Sequence, residues 1–198
     1  MKKRITLLFG IILFVGSVYA QSPTGDSSDK QAKINSAMSA APYAIAKNAT
    51  IRDWPASEGE EMALLREGTN EYTCLPDMPG TPGNDPMCLD EPWLTWADAW
   101  MNQKEVNISK MGFGYMLQGG TPESNTDPYA EGPTDDNEWI TDAVPHLMII
   151  VPNNSMLEGL PVTPESGGPW VMWRNTPYVH VMAPMPKYNP SDVQEDSD

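Results

Sequence analysis

Asp90-Glu91-Pro92-Trp93-Leu94-Thr95-Trp96-Ala97-Asp98-Ala99-Trp100-Met101 is the stretch on which the fold class turns. Asp90 carries the short acceptor side chain of an N-cap, and Pro92 falls in the first turn, where its missing N–H is harmless. Trp93, Trp96 and Trp100 recur at i, i+3 and i+7, with Ala97 and Met101 beside them. That spacing makes one apolar face and predicts a helix over residues 91–104, packed on a sheet rather than offered to an aromatic ligand.

Outward from this helix the chain reads as short extended segments. Lys110 to Leu117 alternates, with Phe113, Tyr115 and Leu117 on one face and Gly112, Gly114 and Met116 on the other. Glycines inside a strand point to a close approach by another backbone or a ligand. His146 to Val151 is a run of buried-strand type. Trp170 to Arg174 and Tyr178 to Met182 form a closing hairpin across Asn175-Thr176-Pro177. Upstream, Ala49 to Asp53 reads as a first strand. Glu61 to Arg66 and Glu71 to Leu75 read as a hairpin around Glu67-Gly68-Thr69-Asn70. Residues 31–47 are Ala-rich and predict one or two short helical turns broken at Pro42. Strands and helix do not alternate regularly, which excludes a Rossmann or barrel architecture. The expectation is an α+β domain: a mainly antiparallel sheet of six to seven short strands, one Trp-rich helix on it, and long Pro-rich loops.

The chain begins with Lys2, Lys3 and Arg4, an apolar stretch from Ile5 to Val15, and then Gly16-Ser17-Val18-Tyr19-Ala20. Basic, apolar and small-residue regions in this order predict a signal peptide cleaved after Ala20, and periplasmic or extracellular export. The apolar run is too short to span a bilayer, so no stable membrane insertion is expected after cleavage. The expected organisation is a signal peptide at 1–20, a disordered linker at 21–30, one domain at 31–186 and a disordered acidic tail at 187–198. Cleavage removes three cations and takes the formal net charge from −15 to −18. Such a surface repels nucleic acid and anionic lipid, so neither is expected as a partner. Cys74 and Cys88 are the only cysteines. In an oxidising compartment they predict a disulfide, and their spacing matches no zinc motif.

Four segments carry a resemblance. Gly68 to Cys74 (GTNEYTC), Gly83 to Asp90 (GNDPMCLD), Gly114 to Gly120 (GYMLQGG) and Gly167 to Trp173 (GGPWVMW) are similar to segments of a family of uncharacterised secreted bacterial proteins. The likeness covers most of residues 40–185. It implies an exported domain; it brings no activity and no functional residue with it.

Candidate chemistry centres on two histidines, His146 and His180, both in predicted strands. Imidazole titrates near neutral pH and either ligates metals or moves protons. With Tyr115, Gln118, Asn125, Asp127, Trp173 and Tyr178 they are the candidate ligand-binding residues. The expected pocket lies between the Gly-rich strand at 112–120, the acidic loop at 121–145 and the closing hairpin at 170–182. Aromatic faces with amides suit a small organic or sugar-like ligand, so a non-catalytic small-ligand-binding or interaction domain leads, with no cofactor. The first alternative is a hydrolase with His146 or His180 as base, oriented by Asp142 or Asp127, and Ser166 as an isolated nucleophile. There is no Gly-x-Ser-x-Gly elbow and no His-Glu-x-x-His. The second alternative is copper handling, because His146 lies near Met148 and His180 near Met182 and Met185, and thioether with imidazole suits copper.

Overall fold

The computed structural model describes residues 24–57 and 59–187. The expected signal peptide at 1–20 and the tail beyond Lys187 lie outside them. Ten strands and three α-helices follow in chain order: α1 (Thr24–Ser39), α2 (Tyr43–Ala46), β1 (Thr50–Arg52), β2 (Leu64–Arg66), β3 (Thr73–Leu75), β4 (Met87–Leu89), α3 (Glu91–Met101), β5 (Gly112–Met116), β6 (Glu123–Ser124), β7 (Trp139–Ile140), β8 (His146–Ile150), β9 (Trp170–Met172) and β10 (His180–Pro184). Eight strands form one sheet in the order β2-β1-β3-β4-β5-β8-β10-β9, against the six to seven expected, and β6 with β7 makes a separate ribbon. The class is α+β and the sheet is mostly antiparallel, the exception being the parallel pair β1 and β3.

That pair corrects one expectation. β2 and β3 do not form a hairpin; β1 lies between them. The chain around Gly68 instead crosses the start of β1, where Thr69 and Asn70 both donate to the Asn48 carbonyl at 2.7 and 3.2 Å. A Cβ on Gly68 would sit 2.2 Å from the Thr50 nitrogen, so only glycine fits there.

The N-terminal helix is the second correction. Residues 24–30, expected in a disordered linker, belong to α1, which runs unbroken to Ser39. Local pairs support it: Lys33 bridges Asp29 one turn back at 3.6 Å, and Gln31 donates to Asn35 at 2.9 Å. Lys33 also reaches Asp53 just beyond β1 at 2.7 Å, tying the helix to the sheet.

Cross-strand partners share a face, so the register sorts the sheet into two sides. One side carries Gly112, Gly114 and Met116 of β5, His146, Met148 and Ile150 of β8, His180 and Met182 of β10, and Met172 of β9. Helix α3 covers this side, with Trp93 and Trp96 packed among Leu89, Met148, Ile150, Trp170, Met172 and Met182. Asp90 caps the helix through Oδ1, which accepts from Trp93 N at 3.1 Å, and its Oδ2 accepts from Phe113 N of β5 at 2.7 Å. Cβ atoms on Gly112 and Gly114 would lie 2.8 and 2.9 Å from the Pro92 and Leu89 side chains. The close approach that these glycines permit is therefore to the α3 layer, not to a ligand.

The opposite side is divided. At one end α1 and α2 bury Ile34, Ala37, Ala40, Ala41 and Ala46 against Ile51, Cys74 and Cys88. Cys74 and Cys88 face each other across β3 and β4 and are joined by a disulfide. At the other end a 3-10 turn at Asn154–Leu157 places Leu157 against Val151, Val171 and Val181. Among the described residues no helix is long and apolar enough to cross a membrane.

Candidate functional site

The two histidines lie on the α3-covered side of adjacent strands but at opposite ends. His146 pairs with Pro184, and His180 is four residues further along β10. At about 3.4 Å per residue, about 14 Å of strand separates the two backbones. The directly paired Met148 and Met182 stand between them. The structure thus does not bring His146 and His180 together into one pocket.

Each ring is anchored the same way. His146 Nδ1 lies 2.6 Å from the Val144 carbonyl, and His180 Nδ1 lies 3.0 Å from the Tyr178 carbonyl. A carbonyl only accepts, so both rings carry their proton on Nδ1. Burial pushes both pKa values down, that of His180 to about 4, with a smaller lowering from the His146 charge. Both imidazoles are neutral near pH 7. His180 is enclosed edge-on by Trp93, Trp96 and Trp173, with ring centroids 5.5, 5.3 and 5.0 Å away. His146 is 2% exposed, and its Nε2 is buried without a hydrogen-bond partner.

The remaining candidates are held in internal bonds. Asn125 uses its whole amide: Nδ2 donates to Glu138 Oε2 at 2.9 Å and to the Val162 carbonyl at 2.8 Å, while Oδ1 accepts from Trp170 Nε1 at 3.0 Å. Trp173 Nε1 donates to the Ser124 carbonyl at 2.7 Å, and Tyr178 Oη donates to the Lys104 carbonyl at 3.0 Å. Gln118 Nε2 donates to the Ser39 carbonyl at 3.0 Å, fastening the end of β5 to α1. Tyr115 points to the other side of the sheet, against Tyr72 at 5.9 Å. The indoles form a stack: Trp96 lies over Trp173 at 5.8 Å and 7°, and Trp100 over Trp173 at 5.5 Å and 29°. These faces pack on each other.

Asp127 is different. Its Oδ1 accepts from Tyr129 N at 2.9 Å, and the residue borders a surface hollow of about 320 Å³ formed by residues 127–137. Glu131, Thr134, Asp136 and Asn137 line the same hollow. This hollow lies within the loop itself. The loop is held in shape by its tether to the aromatic core, where Trp100 Nε1 and Trp173 Nε1 donate to the carbonyls of Pro128 and Ser124. A second pocket, of about 140 Å³, lies beside Trp96 and is lined by Val106, Ile108, Pro152 and Val179.

Sequence reasoning missed Glu123. Loss of hydration, with repulsion from the nearby Asp85 as a smaller cause, raises its pKa to about 7. Asp85 is buried and accepts from Met78 N at 2.9 Å and Thr121 Oγ1 at 2.8 Å. Nothing in the local sequence marks this pair, because the two acids are 38 positions apart and meet only through folding. Among the described residues no three His, Cys, Asp or Glu side chains gather to hold a metal. No protein-family model, no curated protein and no solved structure matches the chain.

Proposed function

We propose that this chain is an exported, non-catalytic binding domain whose ligand occupies the hollow of the acidic loop. The observation that carries this reading is the state of the histidines. Both are buried and neutral, and both have Nδ1 committed to a backbone carbonyl where a hydrolytic base would have its carboxylate. Ser166 ends a 3-10 turn, and its Oγ accepts from Gly168 N at 3.3 Å. That arrangement suits a turn and not a nucleophile. The hollow at 127–137 is lined by the acids Asp127, Glu131 and Asp136, while the Asn137 amide holds the loop in shape through Thr134 N and the Gly132 carbonyl. Those acids suit a small cationic molecule with hydrogen-bond donors. The N-terminal export signal and the disulfide support placement outside the cytoplasm.

A thermal-shift series with putrescine and spermidine tests it. The reading expects a rise in Tm of several degrees at saturating amine, as ligand binding to the folded state requires. The rise is lost in the double variant Glu131→Gln, Asp136→Asn and retained in Asp98→Asn, an exposed acid outside the hollow. Equal shifts in both variants, or turnover of an ester or amide substrate that disappears in His146→Ala, overturn the reading.

A further inference from the structure

His146 Nε2 is a lone pair sealed inside the protein with nothing bonded to it. An unmatched buried acceptor is costly, and this one asks for an explanation. The ring is also prepared as a ligand. Metal-bound histidines commonly donate the other ring N–H to a backbone carbonyl, which fixes the tautomer and the ring plane. His146 does so to Val144. Its neighbour across β5 is Met116, directly opposite in the register.

These two side chains border one small space. A Cβ placed on Gly120 would lie 3.6 Å from the Met116 methyl, 3.7 Å from His146 Cε1 and 3.4 Å from the Ala143 methyl. The space exists because residue 120 has no side chain. Gly119 helps to frame it: at φ +106° it carries the chain past the Ala143 carbonyl, which a Cβ there would meet at 2.7 Å. Gly120 N then donates to that same carbonyl at 3.0 Å. Met116, Gly120 and Ala143 are all partly exposed, so the space lies between the surface and the buried ring.

We propose that His146 Nε2 and the Met116 thioether bind a soft monovalent metal ion, Cu(I), in the space over Gly120. This site is separate from the acidic hollow and does not depend on it. Thioether sulfur with neutral imidazole selects Cu(I) over harder cations. Both donors are uncharged, and the cost of burying an ion rises with the square of its charge, which favours a monovalent occupant. Met148 and Met182 continue the thioether surface along the same face of the sheet. The site differs from the groupings that sequence proximity suggested. Met185 is 41% exposed, and His180 is walled in by indole rings.

Anaerobic titration of the purified protein with Cu(I) in competition with bicinchoninate tests the proposal. The wild-type chain is expected to withdraw one equivalent of Cu(I) from the chelator. Met116→Leu, a volume-conserving change, is expected to weaken binding at least tenfold, and Met101→Leu, at an exposed site, to leave it unchanged. Because His146→Phe changes a buried position, a second readout uses the wild-type protein: the His146 Nε2 resonance in ¹⁵N NMR shifts on addition of one equivalent of Cu(I). No withdrawal of Cu(I), equal affinity in Met116→Leu, or an unmoved Nε2 resonance overturns the proposal.

Discussion

At the scale of single residues, Asn125 shows how a polar side chain that looks like a ligand donor becomes a structural joint. Its backbone N donates to the Glu138 carbonyl at 2.7 Å, its carbonyl accepts from Trp173 N at 2.8 Å, and its amide holds Glu138, Val162 and Trp170. Asn125→Ala leaves the Trp170 indole N–H and the Val162 carbonyl unmatched. It is expected to lower stability by about 2–4 kcal/mol in urea unfolding. Residue type alone nominated Asn125, Gln118 and Tyr178 as ligand donors. Each donates to a backbone carbonyl 37 to 79 positions away, which no local pattern encodes.

Two titrating groups, buried His180 and half-buried Glu123, act on stability in opposite directions. His180 has a folded pKa of about 4 against 6.5 for the free side chain. The unfolded chain therefore takes up the proton first as pH falls, and stability that is full above about pH 6.5 is lost toward pH 4. Glu123 has a folded pKa of about 7 against 4.5. The folded state holds that proton longer, so stability present below about pH 4.5 is lost as pH rises to 7. The two effects oppose each other between pH 4.5 and 6.5. Glu123→Gln removes only the second. The variant is expected to exceed wild type by on the order of 1–2 kcal/mol at pH 8, a figure reduced for the partial exposure of Glu123, and to show no advantage at pH 4.5. Chemical denaturation at the two pH values checks this.

At the scale of elements, period-two alternation and the Asp90 cap were readable because each depends on neighbours within a few residues. The Lys110 to Leu117 alternation appears as β5, with its two glycines facing α3. The pairing of β1, β2 and β3 was not readable. Three-residue strands carry too little pattern to fix a partner. The turn residues at 67–70 serve a crossing over Asn48–Thr50 as well as they would serve a hairpin. Gly68→Ala places a methyl against backbone at 2.2–2.6 Å, where no rotamer can relieve it. It is expected to cost more than about 3 kcal/mol, or to prevent folding, as measured by the unfolding midpoint. Gly132→Ala, with nothing within 4 Å of the new methyl, is the matched control and is expected to stay within about 1 kcal/mol of wild type.

At the scale of the whole molecule, the sheet separates two layers with different staples. Indoles and thioethers fill the α3 side, while small alanines and one disulfide close the α1 side. Cys74–Cys88 spans 14 positions, and in the chain-entropy model a loop of this size contributes about 3 kcal/mol. The double variant Cys74→Ala, Cys88→Ala is expected to lose that much, and reduction of the wild type to lower its free energy of urea unfolding by the same amount. The fold class and the disulfide were readable because composition and cysteine count act globally. The candidate site was readable only in part. His146 stood out by its rarity, but Met116 and Gly120 join it through strand register, and Glu123 meets Asp85 only through tertiary contact.

The protonation state of the two histidines underlies both the non-catalytic reading and the metal site, and long-range ¹H–¹⁵N NMR of the ring nitrogens measures it directly. Both rings are expected to be neutral at pH 7 to 8 with the proton on Nδ1, the His180 resonances to stay fixed down to pH 6, and any His146 transition to fall below that of a free imidazole. A ring that titrates near pH 6.5, or that carries its proton on Nε2, contradicts the account.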